Sequence, residues 1–134
     1  MKFNHYYEEL GLKETDFPFE KSEDICDRNF EDEEGFSAIE FFSLDYSLAL
    51  HIYSRLRYFQ DNCLVGCPMG MEFNKWEKII QKMINGFKLY LIDEEQIINL
   101  SKSTREWQKL SKNKQKQIRY GMRLFIKYFG NLWY

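Results

Sequence analysis

The sequence predicts an all-α fold, a single-domain antiparallel helical bundle with an acidic, less regular N-terminal arm. Three observations predict it. Apolar residues recur at helical spacing in three long segments. Two prolines and seven glycines in 134 residues leave the chain poor in the turn punctuation that many short strands need. Aromatic residues reach 18%, and twelve Phe, nine Tyr and three Trp supply bulk for a core. A chain of this length fills one domain, so residues 1–134 read as one unit, with 1–35 as the arm and 36–134 as the helical core.

The elements follow in order. Phe3, Tyr6, Tyr7 and Leu10 have helical spacing and predict a short leading helix ending at Gly11. From Glu14 to Glu34 ten acidic residues stand against Lys21 and Arg28, a net charge of −8. Phe17, Phe19, Ile25 and Phe30 are the anchors of this stretch, which reads as an irregular or partly helical arm lying on the core. Ser43 is a good N-cap, and Asp45 follows in the first turn, where a negative charge suits the helix dipole. Leu44, Leu48, Ile52, Leu56 and Phe59, broadened by Ala49 and Tyr53, predict a helix over 44–60 that ends before Asp61 and Asn62.

Asn74, with Glu77 three residues on, resembles a capping box. Trp76, Ile79, Ile80, Met83, Ile84, Phe87, Tyr90 and Leu91 then form the cleanest amphipathic stripe in the chain, to about Leu91. Asp93, Glu94 and Glu95 open a short helical piece through Leu100, with a break over Ser101 to Thr104. The final helix starts near Thr104, has a candidate interruption at Ser111 to Asn113, and runs to about Phe129. Ile118, Met122, Phe125, Phe129 and Leu132 lie on one stripe, so the apolar end of the chain is expected to dock, clamped between the other two helices.

The net charge of −2 hides a gradient. Residues 1–50 carry fourteen acidic and four basic side chains, residues 51–100 six of each, and residues 101–134 one acidic and nine basic. The segments therefore stand at −10, zero and +8. Such asymmetry points to a charged partner. The plainer alternative is that the two ends neutralise one another in the fold. The first residues lack the apolar stretch of a signal peptide, and no run approaches the ~18 apolar residues that cross a bilayer. Cys26, Cys63 and Cys67 are then expected as reduced thiols of a cytoplasmic protein with no membrane contact.

Metal and catalytic constellations are weak. Cys63 and Cys67, with Cys26, His51 and His5 elsewhere, lack a second close ligand pair, so neither a metal nor a cofactor is expected. A Cys–His pair from Cys63 or Cys67 and His51 has no flanking signature. Gly66 to Gly70 lacks the Lys-Ser/Thr of a phosphate loop. These absences weigh against an enzyme. The charged segments carry more. Nine cations fall between Lys102 and Lys127. Arg119, Arg123 and Lys127 are spaced by four and share a helix face, which with Lys116 makes a candidate contact for phosphates or an acidic partner. In the arm, Asp24, Asp27, Glu31, Asp32, Glu33 and Glu34 are a candidate partner-binding set that mimics phosphates. Both runs also read as ordinary solvated faces. Trp107, Trp133 and Tyr134 are either interface anchors or core.

Several pieces in order resemble a family of small, mostly uncharacterised bacteriophage and prophage proteins. They are Gly35-Phe36-Ser37; Leu44-Asp45 with Leu48-Ala49; Gly66-x-Pro68; Trp76 through Ile79, Met83, Ile84 and Phe87; and Gly121 through Leu124-Phe125, Tyr128-Phe129 and Leu132-Trp133. The chain departs from that pattern at Cys67, where an aromatic residue is usual, and at Glu31 to Glu34, where the family is basic. The resemblance implies a helical fold and a bacterial host cell. With the charge pattern, it leads to the expectation of an accessory protein that binds a host macromolecule, as an inhibitor of a host defence or nucleic-acid-processing protein. The alternatives are a nucleic-acid binder using the basic C-terminal helix, and an oligomer that sequesters a nucleotide signal.

Overall fold

A computed structural model describes residues 2–16, 19, 41, 43–92 and 103–133. The fold is all-α: α1 spans His5–Glu8, α2 Leu44–Asn62, α3 Phe73–Leu91 and α4 Thr104–Lys127, with a closing 3-10 turn at Phe129–Asn131. The described residues contain no strand. The expected helical piece at Asp93 to Leu100 lies outside them.

α3 is the centre of the molecule. α2 and α4 both pack against it, while α1 packs on α2. No Cα of α2 comes within 8 Å of one in α4. Partner pairs show both packings to be antiparallel. Gln60 bonds Gln81 and Tyr90 bonds Asp45 between α2 and α3. Between α3 and its C-terminal neighbour, Trp76 meets Tyr128, Phe87 meets Phe125 and Ile92 meets Lys114. The sequence expectation of a closing segment clamped between two helices is thus corrected: the clamped helix is α3, and α4 leans on it from one side. Both neighbours lie on one broad face of α3, where Trp76, Ile79, Ile80, Met83, Ile84 and Phe87 are all buried.

α2 buries a different line from the one its leucines suggest. Ala49, Tyr53 and Leu56 enter the shared core, and Ile52 and Phe59 pack at its margin. Leu44 and Leu48, by contrast, are about half exposed, at 45% and 51%. The reason is a second covered side: Ser47, Leu50 and Ser54 are also buried, and the Ser54 hydroxyl lies 3.0 Å from that of the fully buried Tyr7. Ala49, Tyr53 and Leu56 lie on one face of α2 and Ser47, Leu50 and Ser54 on another, so no single stripe describes its buried surface. α1 is fixed on it by Arg57, which holds Glu9 through two guanidinium nitrogens at 3.0–3.3 Å and lies 5.4 Å from the Tyr6 ring. Phe19 stacks on Phe3 and Tyr7, so one of the expected arm anchors is in place. Phe17, Ile25 and Phe30 lie outside the described residues.

The helix ends follow local chemistry only in part. Asn4 caps α1, its side chain accepting from the Tyr6 N–H at 3.1 Å, and Gly11 leaves it at φ +80°, a conformation that favours glycine. Ser103 caps α4 by accepting from Glu106 N–H at 3.2 Å. Ser43 makes no side-chain cap bond. Asn74 sits inside the first turn of α3 rather than at its cap, because the Pro68–Met71 turn delivers the chain so that Glu72 already accepts the first helical bond, from Trp76. α4 runs unbroken through Ser111 to Asn113. With no Gly or Pro there, the local propensity cost is a few tenths of a kcal/mol per residue, too small to interrupt a packed helix.

The chain's end docks on alternate residues. Met122, Phe125, Tyr128 and Leu132 pack against the core, whereas Phe129 is 65% and Trp133 75% exposed. The expected stripe fails at Phe129 because α-geometry stops at Lys127 and the tighter 3-10 turn aims Leu132 inward instead.

Candidate functional site

α4 carries eight cations, and seven share one face. Arg105, Lys109, Lys112, Lys116, Arg119, Arg123 and Lys127 recur at intervals of 4, 3, 4, 3, 4 and 4, and all are exposed. At 3.6 residues per turn they fall within about 80° of one another, in a row about 33 Å long. The face lies opposite Ile118, Gly121 and Phe125, which meet α3. Three of the four cations nominated from sequence, Lys116, Arg119 and Arg123, line one open concavity of about 760 Å³ together with Lys112, Gln115 and Tyr120. Lys127 stands apart from it, with its ammonium 5.3 Å from the Tyr128 ring.

Sequence reasoning missed Arg105, Lys109 and Lys112 as members of the row. The interval pattern was there to be read, but the interruption expected at Ser111 to Asn113 cut the row in two. The eighth cation is different. Lys114 is buried to 8% exposure, and its ammonium donates to the Ile92 carbonyl oxygen at 3.1 Å, where α3 ends. It completes the cap of another helix and belongs to the packing.

The row is electrostatically uncompensated among the described residues. The two ion pairs found there both belong to Arg57, with Glu9 and Asp61. α4 itself has one carboxylate, Glu106, at its N-terminal turn, where it favours the dipole. α3 adds a further cation: the Lys82 ammonium lies 5.4 Å from the Tyr120 ring, and Tyr120 is 48% exposed. An aromatic face is therefore held among cations.

The shifted ionisations all lie away from this row. Accepting a hydrogen bond from the Tyr90 hydroxyl holds Asp45 below the usual carboxylate range, and the same bond raises Tyr90. Burial, and then the bond to Asp61, raise Tyr6. These groups pin helices together at the far side of the molecule. They do not converge on a reacting centre.

The acidic set, Asp24, Asp27, Glu31, Asp32, Glu33 and Glu34, lies outside the described residues, as do Cys26 and Tyr134. His51 and Cys63 are not brought together: twelve residues of α2, about 18 Å, separate them along the helix. The Cys67 thiol donates to the Met71 carbonyl in the loop before α3. Among the described residues, no three His, Cys, Asp or Glu side chains converge as metal ligands. No helix there is long and apolar enough to cross a membrane. Of the two candidate anchors described, Trp107 is half-buried and Trp133 exposed. No family model, curated protein or solved structure matches the chain.

Proposed function

We propose that this protein binds nucleic acid through the cationic face of α4, by contacts to the phosphate backbone. The observation that carries the reading is the single row of seven exposed cations, none paired with a described carboxylate. An acid-poor row about 33 Å long can follow a run of backbone phosphates, and binding would release condensed counterions. A merely solvated face would be expected to intersperse acids, since opposite charges at i,i+4 stabilise a helix and like charges oppose it. Keeping like charges in line costs stability, which a polyanionic ligand would offset.

The phage resemblance supplies a setting for this activity, an accessory protein acting in a bacterial host cell on nucleic acid. Inhibition of a host protein, the other reading of the charge gradient, would use the acidic segment, which lies outside the described residues, or this same basic helix. The test is fluorescence anisotropy of labelled duplex and single-stranded oligonucleotides at ~50 mM salt, where phosphate contacts are strongest. Binding that weakens steeply toward ~200 mM salt supports the reading. No binding of either nucleic acid at the lower salt rejects it.

A further inference from the structure

The cationic row does not end in solvent-polar residues. Arg119, Arg123 and Ile126 continue one line at intervals of 4 and 3, and Ile126 is 75% exposed. Beyond the end of α4, Phe129 and Trp133 are 65% and 75% exposed. Further back, the half-exposed Tyr120 lines the same concavity as Lys116, Arg119 and Arg123 and faces Lys82. One exposed ring thus lies among the cations, and two more follow beyond the C-terminal end of their helix.

We infer that the nucleic acid taken by this face is single-stranded, its phosphates on the cations and its unpaired bases stacked on Tyr120, Phe129 and Trp133. The inference rests on the reading of the preceding section and deepens it. Duplex DNA offers phosphates to a cationic helix, but its bases are stacked on one another and give an external ring no face to cover. A single strand offers both, and a positive track with aromatic platforms is the arrangement that binds it without sequence preference. One row of charge also suits one line of phosphates, whereas a groove binder needs charge flanking it on two sides. The exposed Trp133 and Phe129 leave apolar area that the fold itself does not cover. The Phe129 ring lies 5.5 Å from that of Phe125.

The experiment compares the full-length protein with its Trp133→Ala, Tyr120→Ala and Arg119→Ala/Arg123→Ala variants, after circular dichroism has confirmed unchanged helix content. The probes are a twenty-nucleotide oligothymidylate, a twenty-base-pair duplex and phosphatidylglycerol vesicles. The expected result is oligothymidylate bound at least tenfold tighter than duplex, with quenching of Trp133 emission. Trp133→Ala and Tyr120→Ala each weaken the single strand about tenfold and the duplex far less, while Arg119→Ala/Arg123→Ala weakens both alike. Equal affinity for the two forms, with no effect of the aromatic variants, overturns this inference and leaves backbone binding standing. Failure of both nucleic acids to bind removes both readings. A blue shift of Trp133 emission on vesicles, with no quenching by oligothymidylate, overturns it in favour of a membrane contact.

Discussion

Gly86 and Gly121 face each other where α3 and α4 cross, with room for a side chain on neither. A Cβ on Gly121 would fall 2.7 Å from the Lys82 carbonyl oxygen and 2.8 Å from the Gly86 Cα, and one on Gly86 would fall 2.9 Å from the Gly121 Cα. The obstructing atoms are backbone, so nothing can swing aside. The pair sets how closely α4 approaches α3, and therefore how rigidly the cationic face is presented.

Alanine at either glycine is the first test. In an exposed helix interior, Gly to Ala stabilises by about 0.5–1 kcal/mol. Here the crossing must open, and overpacking of this kind costs about 1–3 kcal/mol. Gly121→Ala and Gly86→Ala are each expected to lower Tm by several degrees in a thermal melt. A raised Tm would show that the two backbones are not in contact.

This crossing also marks the limit of what the sequence revealed. The apolar period of Trp76 to Leu91 is legible because both neighbours share one broad face of α3, which buries large side chains. The two glycines give no such signal, since their partner is a backbone on another helix and leaves no periodic trace. Leu44 and Leu48 misled for a related reason: α2 is covered by α1 as well as α3, and small Ser47 and Ser54 mark the second contact. Phe129 failed through a change of helix type at Lys127, which the stripe assumes constant. Of the candidate site, Lys116, Arg119, Arg123 and Lys127 were legible by spacing, while the reach of the row to Arg105 depended on a helix continuous through Asn113.

The bond from the Tyr90 hydroxyl to the Asp45 carboxylate joins the start of α2 to the end of α3. Its contribution follows from the depressed ionisation of Asp45. A carboxylate lowered in the folded state adds stability above its ordinary value near 4 and loses it as pH falls through the depressed value. Tyr90→Phe is expected to melt below the parent at pH 7, with the difference shrinking below about pH 4. A gap independent of pH would mean that the ring, not the bond, was lost.

Lys114 separates structural from recognising charge on one helix. Lys114→Met removes the bond to Ile92 and is expected to cost about 1 kcal/mol of stability, measured by chemical denaturation. Its effect on oligonucleotide affinity should be less than twofold. Arg119→Ala is expected to do the opposite, leaving denaturation unchanged and weakening binding several-fold. Equal loss of affinity in both would mean that bulk charge, not the exposed face, governs binding.

Tyr7→Phe probes how α1 is fastened. The hydroxyl lies between Ser54 at 3.0 Å and the Arg55 guanidinium at 3.5 Å, on a side chain with no exposed area. Its removal is expected to cost about 0.5–1.5 kcal/mol. Glu9→Gln, which breaks a partly exposed ion pair with Arg57, is expected to cost no more than about 1 kcal/mol. Hydrogen exchange in residues 5–8 should rise more in Tyr7→Phe than in Glu9→Gln; the reverse order would place the anchor at the ion pair.

The most direct measurement is the salt dependence of oligonucleotide binding by the parent and by Lys116→Ala/Arg119→Ala/Arg123→Ala. Each phosphate neutralised contributes about −0.7 to −0.9 to the slope of log K against log salt. The row predicts a steep parent slope and a triple variant shallower by about 2, with an unchanged melt. A slope identical in the two proteins, or no binding by the parent at ~50 mM salt, contradicts recognition through α4.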